Sequence, residues 1–148
     1  MSGNGKMSNF DWVSARGACS IRKVFEQLKL GAMDDVRAIN ALRAGLVCDM
    51  ADNSTGDFFS VFREGNGSRT VKFSSASDDE ITITNSTGMN LRVTLTLNNQ
   101  GDCKLRIVGK DEELEQWQVR RMALEELFFG GNEPPRMRIP GRTDMGRI

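Results

Sequence analysis

Leu91-Arg92-Val93-Thr94-Leu95-Thr96-Leu97, followed after a polar turn by Cys103-Lys104-Leu105-Arg106-Ile107, decides the fold. Apolar and polar residues alternate strictly in both runs. Successive side chains of an extended strand point to opposite faces, so this period of two describes strands with one buried face and one wet face. With Asn98 closing the first run, the four residues Asn99-Gln100-Gly101-Asp102 suffice for a hairpin and are far too few for a parallel crossover.

Working backwards, Arg69–Ser74 and Glu80–Asn85 share the pattern. Val71, Phe73, Ile81, Ile83, Leu91, Val93, Leu95, Leu97, Cys103, Leu105 and Ile107 take the inward parity. Thr70, Lys72, Thr82, Thr84, Arg92, Thr94, Thr96, Lys104 and Arg106 take the outward one. Phe58–Arg63 adds a first strand of ambiguous facing, since Phe58 with Phe62 competes with Phe59 and Val61. Short turn-rich connections make the whole a five-stranded antiparallel meander.

The meander is flanked by two helical patterns. Ser20 is placed to cap a helix in which Ile21, Phe25, Leu28, Ala32, Val36, Ile39 and Leu42 recur at three- and four-residue steps, ending at about Ala44 before Gly45. Gly31 lies inside the stripe and allows a kink there. The run Asp111-Glu112-Glu113-Leu114-Glu115 opens a second helix, with its acids at the positive end of the dipole. Leu114, Trp117, Leu124, Leu127 and Phe128 form its main stripe, while Val119, Met122, Ala123 and Phe129 add apolar surface on another side. The expected fold is therefore α+β, a two-layer sandwich with both helices packed on one face of the sheet. The order is similar to that of frataxin-like domains, and helix-grip lipid binders share a helix on a curved sheet. These resemblances imply architecture alone, because the first helix carries only Glu26, Asp34 and Asp35 and no acidic ridge.

Residues 1–9 read as a flexible leader, 10–130 as a single domain and 131–148 as a flexible Arg/Pro-containing tail holding all three prolines. With 148 residues the chain is long enough for a core without staples. No apolar run approaches the roughly 20 residues of a membrane helix, and the N-terminus has no signal-peptide core. Cys19, Cys48 and Cys103 are odd in number and widely spaced, which reads as free thiols in a reducing cytoplasm. The sequons at Asn53, Asn66 and Asn85 then read as turns.

Composition also bears on function. The chain has no histidine, so Ser-His and Cys-His nucleophiles, a histidine base and histidine metal ligands are excluded. No catalytic set, metal site, cofactor site or phosphate loop is visible. Three surfaces remain. Lys72, Arg92, Lys104 and Arg106 make a basic sheet face suited to phosphates but lacking stacking aromatics. Val119, Met122 and Phe129 make a partner-contact surface on the last helix. Arg136, Arg138 and Arg142 offer tail contacts. The leading expectation is a non-enzymatic protein-interaction or assembly domain that binds another protein or itself. A small apolar ligand between sheet and helices, and nucleic acid on the basic face, are the alternatives.

Overall fold

A computed structural model describes residues 10–130 apart from 54, 66–68, 76 and 78, so the leader at 1–9 and the tail at 131–148 lie outside the described residues. The elements in chain order are α1 (Trp12–Ala18), α2 (Ile21–Leu42), β1 (Cys48–Asp52), β2 (Phe58–Arg63), β3 (Arg69–Ser74), β4 (Ile81–Asn85), β5 (Asn90–Leu97), β6 (Cys103–Ile107) and α3 (Gln116–Phe129). All strand pairs are antiparallel and the sheet runs β1-β2-β3-β4-β5-β6, one strand more than the expected meander. Both α2 and α3 pack on one face and touch each other, as the two-layer arrangement requires.

Parity settles the core. Phe59, Val61, Val71, Phe73, Ile81, Ile83, Val93, Leu105 and Ile107 are buried beneath the helices. Phe59 stacks on Phe73 with ring centroids 4.5 Å apart, and Phe25 from α2 tilts onto Phe59 at 5.3 Å. This resolves β2 in favour of Phe59 and Val61. The layer in which the alternative reading puts a small ligand is filled by aromatic rings and by Leu28, Ile81, Ile83 and Leu105.

The sixth strand comes from Cys48–Asp52, which pairs with β2 from Cys48↔Arg63 to Asp52↔Phe59. As an edge strand it buries only Cys48 and leaves little alternation to read. Its open side is partly blocked, because the Asn40 amide of α2 donates to the Cys48 carbonyl and accepts from the Cys48 N–H, both at 2.9 Å. At the other edge Leu114 bridges Leu105 through reciprocal backbone bonds of 2.7 and 2.9 Å. Both edges are denied part of the free backbone that would template aggregation.

That bridge also moves the start of the last helix. With the Leu114 N–H and C=O engaged by β6, residues 111–115 lie outside the helix and the acids there do not form a helical first turn. The helix begins at Gln116, with Glu115 as N-cap and the Gln118 side chain accepting from the Glu115 N–H at 2.7 Å. Its far end is held from outside: the Arg43 guanidinium donates to the Phe128 carbonyl, and Arg63 donates to the Leu127 and Gly130 carbonyls at 3.3 and 3.1 Å. Cationic donors at a helix C-terminus satisfy orphan carbonyls and oppose the dipole. Burial beside Arg43 and Arg69 pulls Arg63 below its ordinary range.

Helix α2 is continuous. Ser20 accepts from the Lys23 N–H at 3.2 Å, as its N-cap position predicts. Gly31 marks a close approach and not a kink, since a β-carbon there would run into the Arg120 guanidinium. Arg120 in turn donates to Asp35 at 2.7 Å, and Gln116 donates to Gln27 at 2.6 Å, so polar pairs zip α3 to α2 above the core.

The N-terminal segment departs most from expectation. Trp12–Ala18 is a helix that buries none of its residues, so it leaves no apolar stripe. Asp11 caps it by accepting from the Ser14 N–H at 3.0 Å. Cys19, at its end, is joined to Cys103 by a disulfide with Cα atoms 5.4 Å apart, so two of the three expected free thiols are oxidised. The reason lies in three dimensions: the meander returns β6 to the start of α2 although 84 residues separate the pair. Cys48 stays free and buried, and burial pushes its thiol pKa up.

Candidate interaction surface

On α3 the wholly apolar row Val119-Ala123-Leu127, together with Leu124 and Phe128, faces the core. Val119 is fully buried, which removes it from the expected contact surface and makes it a core residue. Trp117 makes the opposite move. The sequence pattern puts it in the core stripe, and it stands 53% exposed because the buried face of the helix is the one that carries Val119, Ala123 and Leu127. Met122 and Phe129 are on the outside as expected, at 43% and 56% exposure. Leu42, the last residue of α2, is 70% exposed and not part of the core.

These side chains converge. A groove of about 350 Å³ runs between α2 and α3, with Ala38, Ile39, Leu42, Trp117, Phe128 and Phe129 among its walls. Asp35 and Arg120 form an ion pair inside it, and the Arg43 guanidinium lies 5.9 Å from the Phe129 ring centroid. Met122 flanks the other side of the ridge that carries Trp117, Arg121 and Glu125. Arg121 donates to Glu125 one turn on at 3.1 Å, and both remain exposed. Single exposed apolar residues are ordinary, but contiguous ones rimmed by charge mark contact sites on monomers.

The sheet face offers less free charge than its sequence promises. Arg92 is bound bidentately by Glu80 at 2.7 and 2.9 Å, which holds the Glu80 carboxyl below its usual range and raises Arg92. Lys104 pairs with Glu115, and that hydrogen bond raises its pKa. Lys72 lies over the Phe58 ring, 4.4 Å from its centroid, and stays exposed. Arg106 sits cross-strand from Thr94, with a buried Nε that has no hydrogen-bond partner. The four side chains do share one face but do not form an open basic patch. Arg136, Arg138 and Arg142 lie outside the described residues.

Among the described residues no three His, Cys, Asp or Glu side chains gather as metal ligands. No described helix is long and apolar enough to cross a membrane. Other grooves flank β1, about 330 Å³ beside the Lys29–Asp52 ion pair, and α1, about 580 Å³ near Arg16, Ser20 and Thr96. Compared with known protein families, with curated proteins and with solved structures, the chain has no match in any of the three.

Proposed function

We propose that this chain is a non-enzymatic protein-interaction or assembly domain whose contact surface is the outer side of the α2–α3 layer. One observation carries the reading: Leu42, Trp117 and Phe129 remain exposed around one groove, with exposed Met122 just across the Trp117 ridge, although the core beneath is complete. Taking ~200 Å² for a whole aromatic side chain, the exposed halves of Trp117 and Phe129 alone present on the order of 200 Å² of apolar area. Leu42 and Met122 bring the patch into the size range at which exposed apolar surface on a monomer is commonly functional. A protein partner fits better than nucleic acid, since Arg92 and Lys104 are already bound to Glu80 and Glu115. It also fits better than a small ligand, since the interlayer space is occupied by Phe25, Phe59 and Phe73.

We place the protein in the cytoplasm in this reading, with the Cys19–Cys103 bond opened and closed by the redox state there. Stable disulfides belong to oxidising compartments, and cytosolic ones are usually transient. Alkylation trapping of the thiols in cell extract checks the point: a pair found fully oxidised at all times contradicts a cytoplasmic home.

The reading is tested by replacing Trp117 and Phe129 together with Ser in the full chain. In native-state extract the parent should run in a complex heavier than its 16.4 kDa, and the variant should lose that complex while keeping its melting temperature. Equal elution of parent and variant, both at monomer mass, contradicts it.

A further inference from the structure

We propose that the partner on this surface is a second copy of the chain, docked antiparallel along α3 by a self-complementary ridge. The inference rests on the interaction reading above and adds the identity of the occupant.

Trp117, Arg121, Glu125 and Phe129 follow one another at four-residue steps, so they form a single ridge about 18 Å long on the outside of α3. Its order is apolar, positive, negative, apolar. Turned end over end about the level of Ala123, the ridge meets its own complement: Trp117 of one copy faces Phe129 of the other, and Arg121 faces Glu125, twice over. A two-fold interface requires this reciprocity, in which residue i meets residue j and j meets i. The four residues are available for it. Trp117 and Phe129 are more than half exposed, and the Arg121 and Glu125 side chains are 64% and 55% exposed.

Charge is balanced at the axis. Within one chain Arg121 and Glu125 already touch at 3.1 Å, and two copies would close them into a square of alternating sign. The flanks serve the same geometry, because the partner ridge has the α2–α3 groove beside Leu42 on one side and Met122 on the other. Aromatic side chains around a paired charge cluster are a common composition for the centre of an interface.

Charge reversal on the purified full chain, followed by sedimentation equilibrium over a wide concentration range, tests the pairing. The parent should approach twice 16.4 kDa as concentration rises. Arg121→Glu places four carboxylates around the axis and should weaken association at least about tenfold, as should Glu125→Arg with four guanidiniums, because like charges in juxtaposition cost several kcal/mol. The double variant Arg121→Glu plus Glu125→Arg keeps the ridge self-complementary and should recover the parent's association. A monomeric parent at every concentration overturns the proposal. So does a dimer indifferent to the single reversals, or a double variant as weak as the singles. If the purified parent is monomeric while the complex in extract still depends on Trp117 and Phe129, the interaction reading stands and self-pairing falls. If both are monomeric, both fall. Melting curves of every variant keep misfolding separate from lost pairing.

Discussion

Opening the Cys19–Cys103 bond removes a cross-link between residues 84 apart. On the chain-entropy account, a closed loop of that length restricts the unfolded state by about 15 cal/mol/K, or about 4.5 kcal/mol at ~25 °C. Unfolding entropy of roughly 2.1 cal/mol/K per residue near ~60 °C gives a domain of this size about 250 cal/mol/K. Reduction should therefore lower the melting temperature by roughly 15–20 °C. The loss has a local signature too, because α1 buries none of its residues: its Asp11 cap is internal to the segment, and Phe10 just before it lies against Gly101. Trypsin should cut at Arg16 in reduced protein well before it cuts the sheet. The assay is a pair of circular-dichroism melts with and without a dithiol, repeated on Cys19→Ser plus Cys103→Ser, which should match the reduced parent and ignore the reductant. Buried Cys48 supplies no competing bond. Equal melting temperatures for oxidised and reduced protein, with Arg16 equally protected, would refute this account of how the N-terminus is held.

Further outcomes follow from the core, the edge and the carboxylates. Phe59→Ala should destabilise by about 3–5 kcal/mol in urea titration, because it empties a stack between Phe25 and Phe73, whereas Trp117→Ser should change stability by less than about 1 kcal/mol. Asn40→Ala removes two bonds to the Cys48 backbone and should cost about 2 kcal/mol, with faster aggregation on heating as the β1 edge opens. The Asp52 carboxyl is held below its usual range by the hydrogen bond from Lys29, and Glu80 by Arg92. A carboxyl with a lowered folded-state pKa stabilises the fold above its unfolded value of about 4 and stops doing so as the pH falls through the folded value. The urea midpoint should accordingly drop below about pH 4, and Glu80→Gln should flatten that drop.

The parts of this molecule that were legible in its sequence are those where one physical pattern acts alone. β3 to β6 alternate because one face is buried and the other wet, and α2 buries five residues of the predicted stripe, Phe25, Leu28, Ala32, Val36 and Ile39, with Val24 beside them, because it lies flat on the sheet. β1 was hidden because an edge strand with one buried residue has no alternation, and on its open side it meets a side-chain amide from another element. α1 was hidden because it buries nothing and is held by a covalent bond between cysteines that spacing alone cannot pair. In α3 two apolar rows competed. The row Val119-Ala123-Leu127 is apolar throughout, and the row through Trp117 and Phe129 is interrupted by Arg121 and Glu125. That interruption was the available sign that Trp117 belongs outside and Val119 inside. Strand parity puts the four basic residues on one face, but Glu80 and Glu115, which pair with two of them, come from just before β4 and from the cap of α3.

Whether the surface over α2 and α3 is a contact surface is tested most directly by the native mass of the full chain with and without Trp117→Ser plus Phe129→Ser. The account predicts a complex for the parent, and monomer mass with an unchanged melting temperature for the variant. A parent already at 16.4 kDa in extract and in pure form, or a variant that unfolds because those rings hold the core, contradicts it.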